Sequence, residues 1–209
     1  MSDDRLAIYD ADDSSCRSFG ENRDASRKLA ISGGVAALKN SWDSFVKSPG
    51  GPYSRVVFDT HGNKGMIFFK HEAVHWGDVS RIFGGVDYGR IFPSFTRVYF
   101  DGCNVAEGDF GWLFLQEIAK ALCAKGGGVV FGWTSKGYAL SVWGHTAPHK
   151  WFHPWGKVRY VVAKPGGSID DMFDTEDIAS AISPTPAERR FGLPGDPVAK
   201  QRYNLVREW

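Results

Sequence analysis

The chain has 209 residues, 25 basic and 24 acidic, for a formal net charge of +1, and 43% of it is hydrophobic. That length predicts one domain with a sizeable core, and the charge balance excludes the electrostatic footprint of a nucleic-acid or anionic-membrane binder. Three cysteines, an odd number, exclude a disulfide scaffold and predict free thiols in a cytoplasmic protein.

Met1-Ser2-Asp3-Asp4-Arg5 is charged, and only four fairly apolar residues follow it. A signal peptide needs about 7–15 apolar residues and a membrane span about 20, so neither is predicted. Leu6-Ala7-Ile8-Tyr9 is the first of six short, continuous apolar runs, the others being 56–58, 66–69, 98–100, 129–131 and 160–163. Runs without apolar/polar alternation predict strands buried on both faces, as in a parallel sheet covered by helices. Residues 24–47 carry Leu29, Ala30, Val35, Leu38, Trp42 and Phe45 and predict a crossover helix that Gly33-Gly34 interrupts. The runs at 56–58 and 66–69 suggest a strand and then a hairpin. Residues 109–124, with Phe110, Leu113, Phe114, Ile118 and Leu122 spaced by threes and fours, predict a second helix capped by Asp109 and ended by Gly126-Gly127-Gly128. A helical piece is predicted around 169–182. The proline-containing residues 183–209 read as an extended tail rather than a domain, which leaves 1–182 as an α/β domain. The expected fold is a three-layer α/β/α sandwich with a mostly parallel sheet.

Function in such sheets gathers at the carboxyl ends of the strands, and two ends stand out. Arg55-Val56-Val57-Phe58-Asp59-Thr60-His61-Gly62 runs from a buried strand into His-Gly. Thr96-Arg97-Val98-Tyr99-Phe100-Asp101-Gly102-Cys103-Asn104 runs from another into Asp-Gly-Cys. On neighbouring strands, His61 and Cys103 would face one crevice. The attacking species of a cysteine nucleophile is the thiolate, and a free thiol titrates near ~8.5, so it needs a base beside it. His61 meets that need and holds a proton for the leaving amine. Gly62 lets a substrate approach the backbone, and the N–H groups of Gly62 and Cys103 suit an oxyanion.

The two blocks resemble the caspase-like cysteine peptidases, the clan of caspases, metacaspases, clostripain, gingipains, separase and the CHAT-type bacterial peptidases. The resemblance spans roughly residues 54–135 and is strongest around Phe58-Asp59-Thr60-His61-Gly62 and Tyr99-Phe100-Asp101-Gly102-Cys103-Asn104-Val105-Ala106-Glu107-Gly108. The second block, with Gly111 and Phe114-Leu115-(x)3-Ala119 after it, is most similar to bacterial caspase-like domains of unassigned function. It departs from the caspase signature Q-A-C-x-G, so aspartate specificity does not carry over. The resemblance implies a thiol endopeptidase with a His61–Cys103 dyad. It also implies that Asp101, two residues before the nucleophile, lines a pocket for a substrate arginine or lysine. The partner is then a peptide with a basic residue before the scissile bond. No cofactor, metal, nucleic acid or membrane is implied.

Other readings of the same residues stay open. Asp101 is equally a structural carboxylate that accepts backbone N–H bonds at a strand end. The whole domain could be an inactive caspase-like module that binds partners. Cys123 reads as a buried mid-helix hydrophobe and Cys16 as a loop thiol without a partner. His145, His149 and His153, and likewise His71 and His75, recur every fourth residue, but Pro148 and Pro154 oppose a helix through the first set and no zinc-type cysteine pair accompanies them. The His/Trp-rich stretch 143–155 reads as a loop over the sheet edge. The glycine pairs lack a phosphate-loop lysine and read as turns. Arg189-Arg190 is a candidate self-cleavage point.

Overall fold

A computed structural model describes residues 4–136, 138–139, 151–152, 156–176 and 197–206. In chain order it contains β1 (Arg5–Asp10), α1 (Ser14–Asn22), β2 (Arg27–Ile31), α2 (Val35–Lys47), β3 (Arg55–Asp59), β4 (His61–Asn63), β5 (Met66–Phe69) and β6 (Glu72–His75). These are followed by α3 (Val79–Phe83), β7 (Thr96–Phe100), α4 (Gly108–Leu122), β8 (Gly128–Trp133), β9 (Tyr138–Ala139), β10 (Trp151–Phe152), β11 (Val158–Ala163), β12 (Ile169–Asp174) and α5 (Pro197–Val206). Seven strands form the central sheet in the order β12-β11-β8-β7-β3-β1-β2. The ladders joining β2, β1, β3, β7 and β8 are parallel, and β11 runs antiparallel to β8. The protein is therefore an α/β sandwich, and all six apolar runs are strands. The run at 66–69 belongs to a separate antiparallel sheet, β4-β5-β6.

Alternation along the buried strands assigns the two helical layers. Leu6, Ile8, Val56, Phe58, Val98, Phe100 and Val130 form one core with Leu38, Trp42 and Phe45 of α2, Ile82 and Phe83 of α3, and Phe114, Leu115 and Ile118 of α4. Phe58 stacks on Phe100 at 4.7 Å and Phe100 meets Phe114 edge-on at 5.1 Å. Trp42 stands edge-on to Phe83 at 5.0 Å and donates its indole N–H to Tyr88 at 2.9 Å, which satisfies the polar ends of two fully buried rings. On the other face, α1 lies so close that a side chain at Gly20 would enter the Tyr9 ring. Tyr99, Phe131 and Tyr160 pack as a row of mutually tilted rings on neighbouring strands.

Several sequence expectations are corrected. Residues 24–47 are not one helix: Arg27–Ile31 is strand β2 at the sheet edge, and only Val35–Lys47 is helical. The edge strand is mostly exposed, so it lacks the apolar run that marks the buried ones. Helix α1 was not foreseen because it buries only Cys16, Phe19 and Gly20. Ile169–Asp174 is a strand, not a helix; residues 177–182 lie outside the described residues. Helix α4 begins one residue before Asp109, with Glu107 as its N-cap, so Asp109 sits in the first turn. There its charge still opposes the helix dipole.

The chain divides into two compact units, Met1–Met172 and Phe173–Trp209. In the second, α5 occupies part of the stretch read as an extended tail, and the Arg202 guanidinium lies 5.0 Å from the centre of the Phe173 ring. The stretch 143–155, apart from the strand Trp151–Phe152, and Arg189-Arg190 lie outside the described residues. No described helix is long and apolar enough to cross a membrane.

Candidate active site at the strand ends

Strands β3 and β7 are parallel neighbours in register from Arg55↔Arg97 to Phe58↔Phe100. His61 and Cys103 each lie three residues beyond that last pair, so both emerge at one crest of the sheet. The Asp101 N–H continues the ladder by donating to the Phe58 carbonyl at 2.9 Å. Above it the two backbones come together. A Cβ on Gly62 would lie 2.7 Å from the Cys103 carbonyl oxygen and 3.4 Å from its nitrogen, and one on Gly102 would lie 2.8 Å from the Thr60 oxygen and 3.3 Å from the Gly62 nitrogen. Only glycine permits this approach. The turn that carries Cys103 is held by Asn104 N–H donating to Ser135 O and Ala106 N–H donating to Trp133 O, both at 2.9 Å. Asn104 adopts a left-handed φ of 55°, which asparagine tolerates better than most residues. Cys103 is half-buried, His61 is exposed, and Thr60 Oγ1 is buried with no hydrogen-bond partner among the described residues.

The site holds a residue the sequence reading missed. Asp13 caps α1, its Oδ1 accepting the Ser15 and Cys16 N–H bonds at 2.9 Å each. Its Oδ2 lies 3.2 Å from His61 Nε2. Burial acts against the Asp13 carboxylate, but the Cys16 N–H and His61 outweigh it and hold the carboxyl below its ordinary range. One carboxylate thus joins the start of a helix to an imidazole 48 residues along the chain. The local signal was the Asp13-Ser14-Ser15 start of α1, which matches an N-cap; its proximity to His61 depends on β1 and β3 being adjacent.

Asp101 has a different setting. Strand β7 ends at Phe100, so the alternation that would put Asp101 and Cys103 on one side does not extend to Cys103. Asp101 is buried and follows Tyr99 toward α1, where Arg23, at the C-terminal end of that helix, reaches it with a guanidinium N–H. The same guanidinium donates to Asp59, with Nη2 at 2.6 Å and Nε at 3.1 Å from Oδ1. Tyr99 donates to Asp101 at 3.3 Å and receives the Trp133 indole N–H at 2.6 Å. One cation thus serves two buried carboxylates. Burial, reinforced by the neighbouring Asp59, pushes the Asp101 carboxyl up to about 6 although Arg23 opposes it, and burial raises Asp59 in the same way.

Beside His61 opens a cavity of about 420 Å³ lined by Asp10, Asp12, Asp13, His61, Phe68, Lys70 and His71. Its floor is rigid. Asp10 is buried and accepts the Asp12 and Lys70 N–H bonds at 3.0 Å each. The second bond secures the β5–β6 turn, where Lys70 and His71 both take positive φ. Exposed Asp12 accepts from Ser32 Oγ at 2.9 Å and from the Gly33 N–H at 2.6 Å. His71 and His75 share no helix: His71 is in the turn, and His75 closes β6, its Nδ1 accepting the Gly77 N–H.

The three thiols are unlike. Cys16 is in α1 rather than a loop and is buried, and burial drives its thiol far above the ordinary range. Cys123 is the buried C-cap of α4 rather than a mid-helix residue, its thiol pushed up to about 12 by burial. Only Cys103 is at a strand crest. Comparison with protein-family models, curated proteins and solved structures found no match.

Proposed function

We propose that the chain is a cysteine endopeptidase in which Cys103 is the nucleophile and His61 the base, and that it is of the caspase-like kind. The observation that carries this reading is the shared crest: equal offsets from the Phe58↔Phe100 pair and backbones in contact at Gly62 and Cys103. Cys103 Sγ attacks the peptide carbonyl while His61 takes the thiol proton. The N–H groups of Gly62 and Cys103 meet the developing oxyanion. As the tetrahedral species collapses to a thioester, His61 passes the proton to the leaving amine, and water then releases the acid with His61 as base. Asp13 positions the imidazole and, by accepting from Nε2, leaves Nδ1 as the basic nitrogen.

Selection of arginine or lysine before the scissile bond fits the acidic cavity next to His61, where exposed Asp12 meets the incoming cation. Asp101 is engaged by Arg23, so its part in this reading is to fix the floor of the crevice rather than to touch substrate. The test is hydrolysis of arginine- and lysine-ended reporter peptides by wild type and Cys103→Ala. Cleavage by wild type and none by the variant is expected; activity that survives in Cys103→Ala removes the nucleophile assignment. Iodoacetamide should modify Cys103 well before Cys16 or Cys123, since burial keeps both of those protonated. A silent wild type with Cys103 the slowest thiol would instead favour a binding module.

A further inference from the structure

We propose that Asp13, Cys16 and His61 form a binding site for a zinc-class divalent metal ion on the wall of the acidic cavity. One oxygen, sulfur or nitrogen atom from each of the three lies within 4.8 Å of the others. The set combines elements distant in sequence: Asp13 is the N-cap of α1 and Cys16 lies in its first turn, whereas His61 comes from β4. A carboxylate, a thiolate and an imidazole together suit zinc, cobalt or another borderline ion, and do not suit calcium or magnesium, which take oxygen ligands.

The spacing is close to what coordination needs. Zinc–sulfur and zinc–nitrogen bonds of about 2.3 and 2.0–2.1 Å at tetrahedral angles put ligand atoms roughly 3.5 Å apart. Asp13 Oδ2 and His61 Nε2 are already 3.2 Å apart, so a shift of about 1 Å at the thiol suffices. Two features prepare the cluster. Asp13 Oδ1 is tied to two backbone N–H groups, which fixes the carboxylate and leaves Oδ2 toward His61. Asp13 and His61 line the cavity while Cys16 is buried, so an ion has an entry path, one interior ligand and an open side for water. On binding, the Cys16 S–H bond breaks, the sulfur–metal bond forms, and the proton leaves to solvent.

The consequence for chemistry rests on the peptidase reading. A neutral imidazole has one nitrogen lone pair, the other nitrogen bearing the hydrogen. Metal binding at Nε2 moves the imidazole hydrogen from Nε2, where Asp13 accepts it in the metal-free protein, to Nδ1. With the remaining lone pair on the metal, His61 has none left to take the Cys103 proton, so an occupied site is an inhibited enzyme.

The test is titration of the full-length protein with cobalt(II), read as the thiolate-to-cobalt charge-transfer band and its displacement by zinc. One equivalent is expected to bind. The band should persist in Cys103→Ala and Cys123→Ala, vanish in Cys16→Ser, and require at least tenfold more cobalt in His61→Gln. No band in wild type, a band that survives Cys16→Ser, or one lost in Cys103→Ala would overturn the site. If Cys16→Ser does not fold by circular dichroism, unchanged cobalt affinity in His61→Gln overturns it equally. Because the band needs no hydrolysis, failure of the metal site and failure of the peptidase reading appear in different measurements.

Discussion

An aspartate follows the end of β1 and another the end of β7, Asp13 and Asp101, and their surroundings are opposite. At the β7 end, Asp101 is buried under Tyr99 and shares the Arg23 guanidinium with Asp59. At the β1 end, Asp13 is part-exposed, held by amide donors, and turned to His61 across an open cavity. Burial raises the first carboxyl and hydrogen bonding lowers the second. Depth and the nature of the donor, rather than position at a strand end, decide whether a carboxyl is pushed toward its protonated form or held ionised. Two buried carboxylates around one cation still carry a net negative charge, and that charge favours retaining a proton. A carboxylate accepting N–H bonds at a helix start gains from staying ionised.

Removing the shared cation tests the comparison hardest. Arg23→Ala leaves two buried carboxylates unpaired and should cost about 3 kcal/mol at neutral pH, read from urea unfolding. The deficit should shrink as pH falls, because burial already disposes both carboxyls to take protons. A loss below about 1 kcal/mol, the range of surface pairs, would put Asp101 in the same class as Asp13.

The next test separates the two by the sign of their pH dependence. Asp101 binds its proton more tightly in the folded chain than at the ordinary value of 3.8. Its contribution to stability is therefore fully present below about pH 4 and lost as pH rises through about 6, on the order of 2 kcal/mol. Unfolding free energies of wild type and Asp101→Asn between pH 4 and 7 should diverge by that fall, and parallel curves would refute it. Asp13, held low, runs the other way: its contribution is present above the unfolded-state value and is lost as pH falls through the folded one.

The smallest stability effect belongs to Asp13 itself. Asp13→Ala should cost about 1 kcal/mol as a lost N-cap, and Asp13→Asn only a few tenths, because asparagine caps equally well. Both should lower kcat on arginine reporters roughly tenfold or more, since neither leaves a carboxylate to orient His61. A kcat that follows stability, falling in the alanine variant alone, would reduce Asp13 to a helix cap.

Much of the sandwich was legible. Val56-Val57-Phe58, Val98-Tyr99-Phe100 and Val129-Val130-Phe131 are strands because a segment buried on both faces must be apolar at every position. The edge strand Arg27–Ile31 and the small helix α1 were not legible, because an edge strand and a short exposed helix bury too little to leave a period. That His61 and Cys103 each follow a buried strand could be read from the two matching strand ends, but bringing those ends to one crest required β3 and β7 to be neighbours. The misleading step was alternation: Asp101 follows the strand and Cys103 does not, since the chain turns at Gly102-Cys103-Asn104.

The sequence alone determined which segments are buried strands, and that a histidine and a cysteine each follow one. Those features depend on residue type and near neighbours, which local chemistry governs. Tertiary structure alone decided that Arg23 satisfies Asp59 and Asp101, that Asp13 meets His61, and that Cys16 lies beside both. Apart from Cys16 and Asp13, which share the start of α1, each of those contacts joins residues 36 to 78 positions apart. Contacts of that kind arise from strand order and helix docking, which leave no mark in the spacing of the residues they bring together.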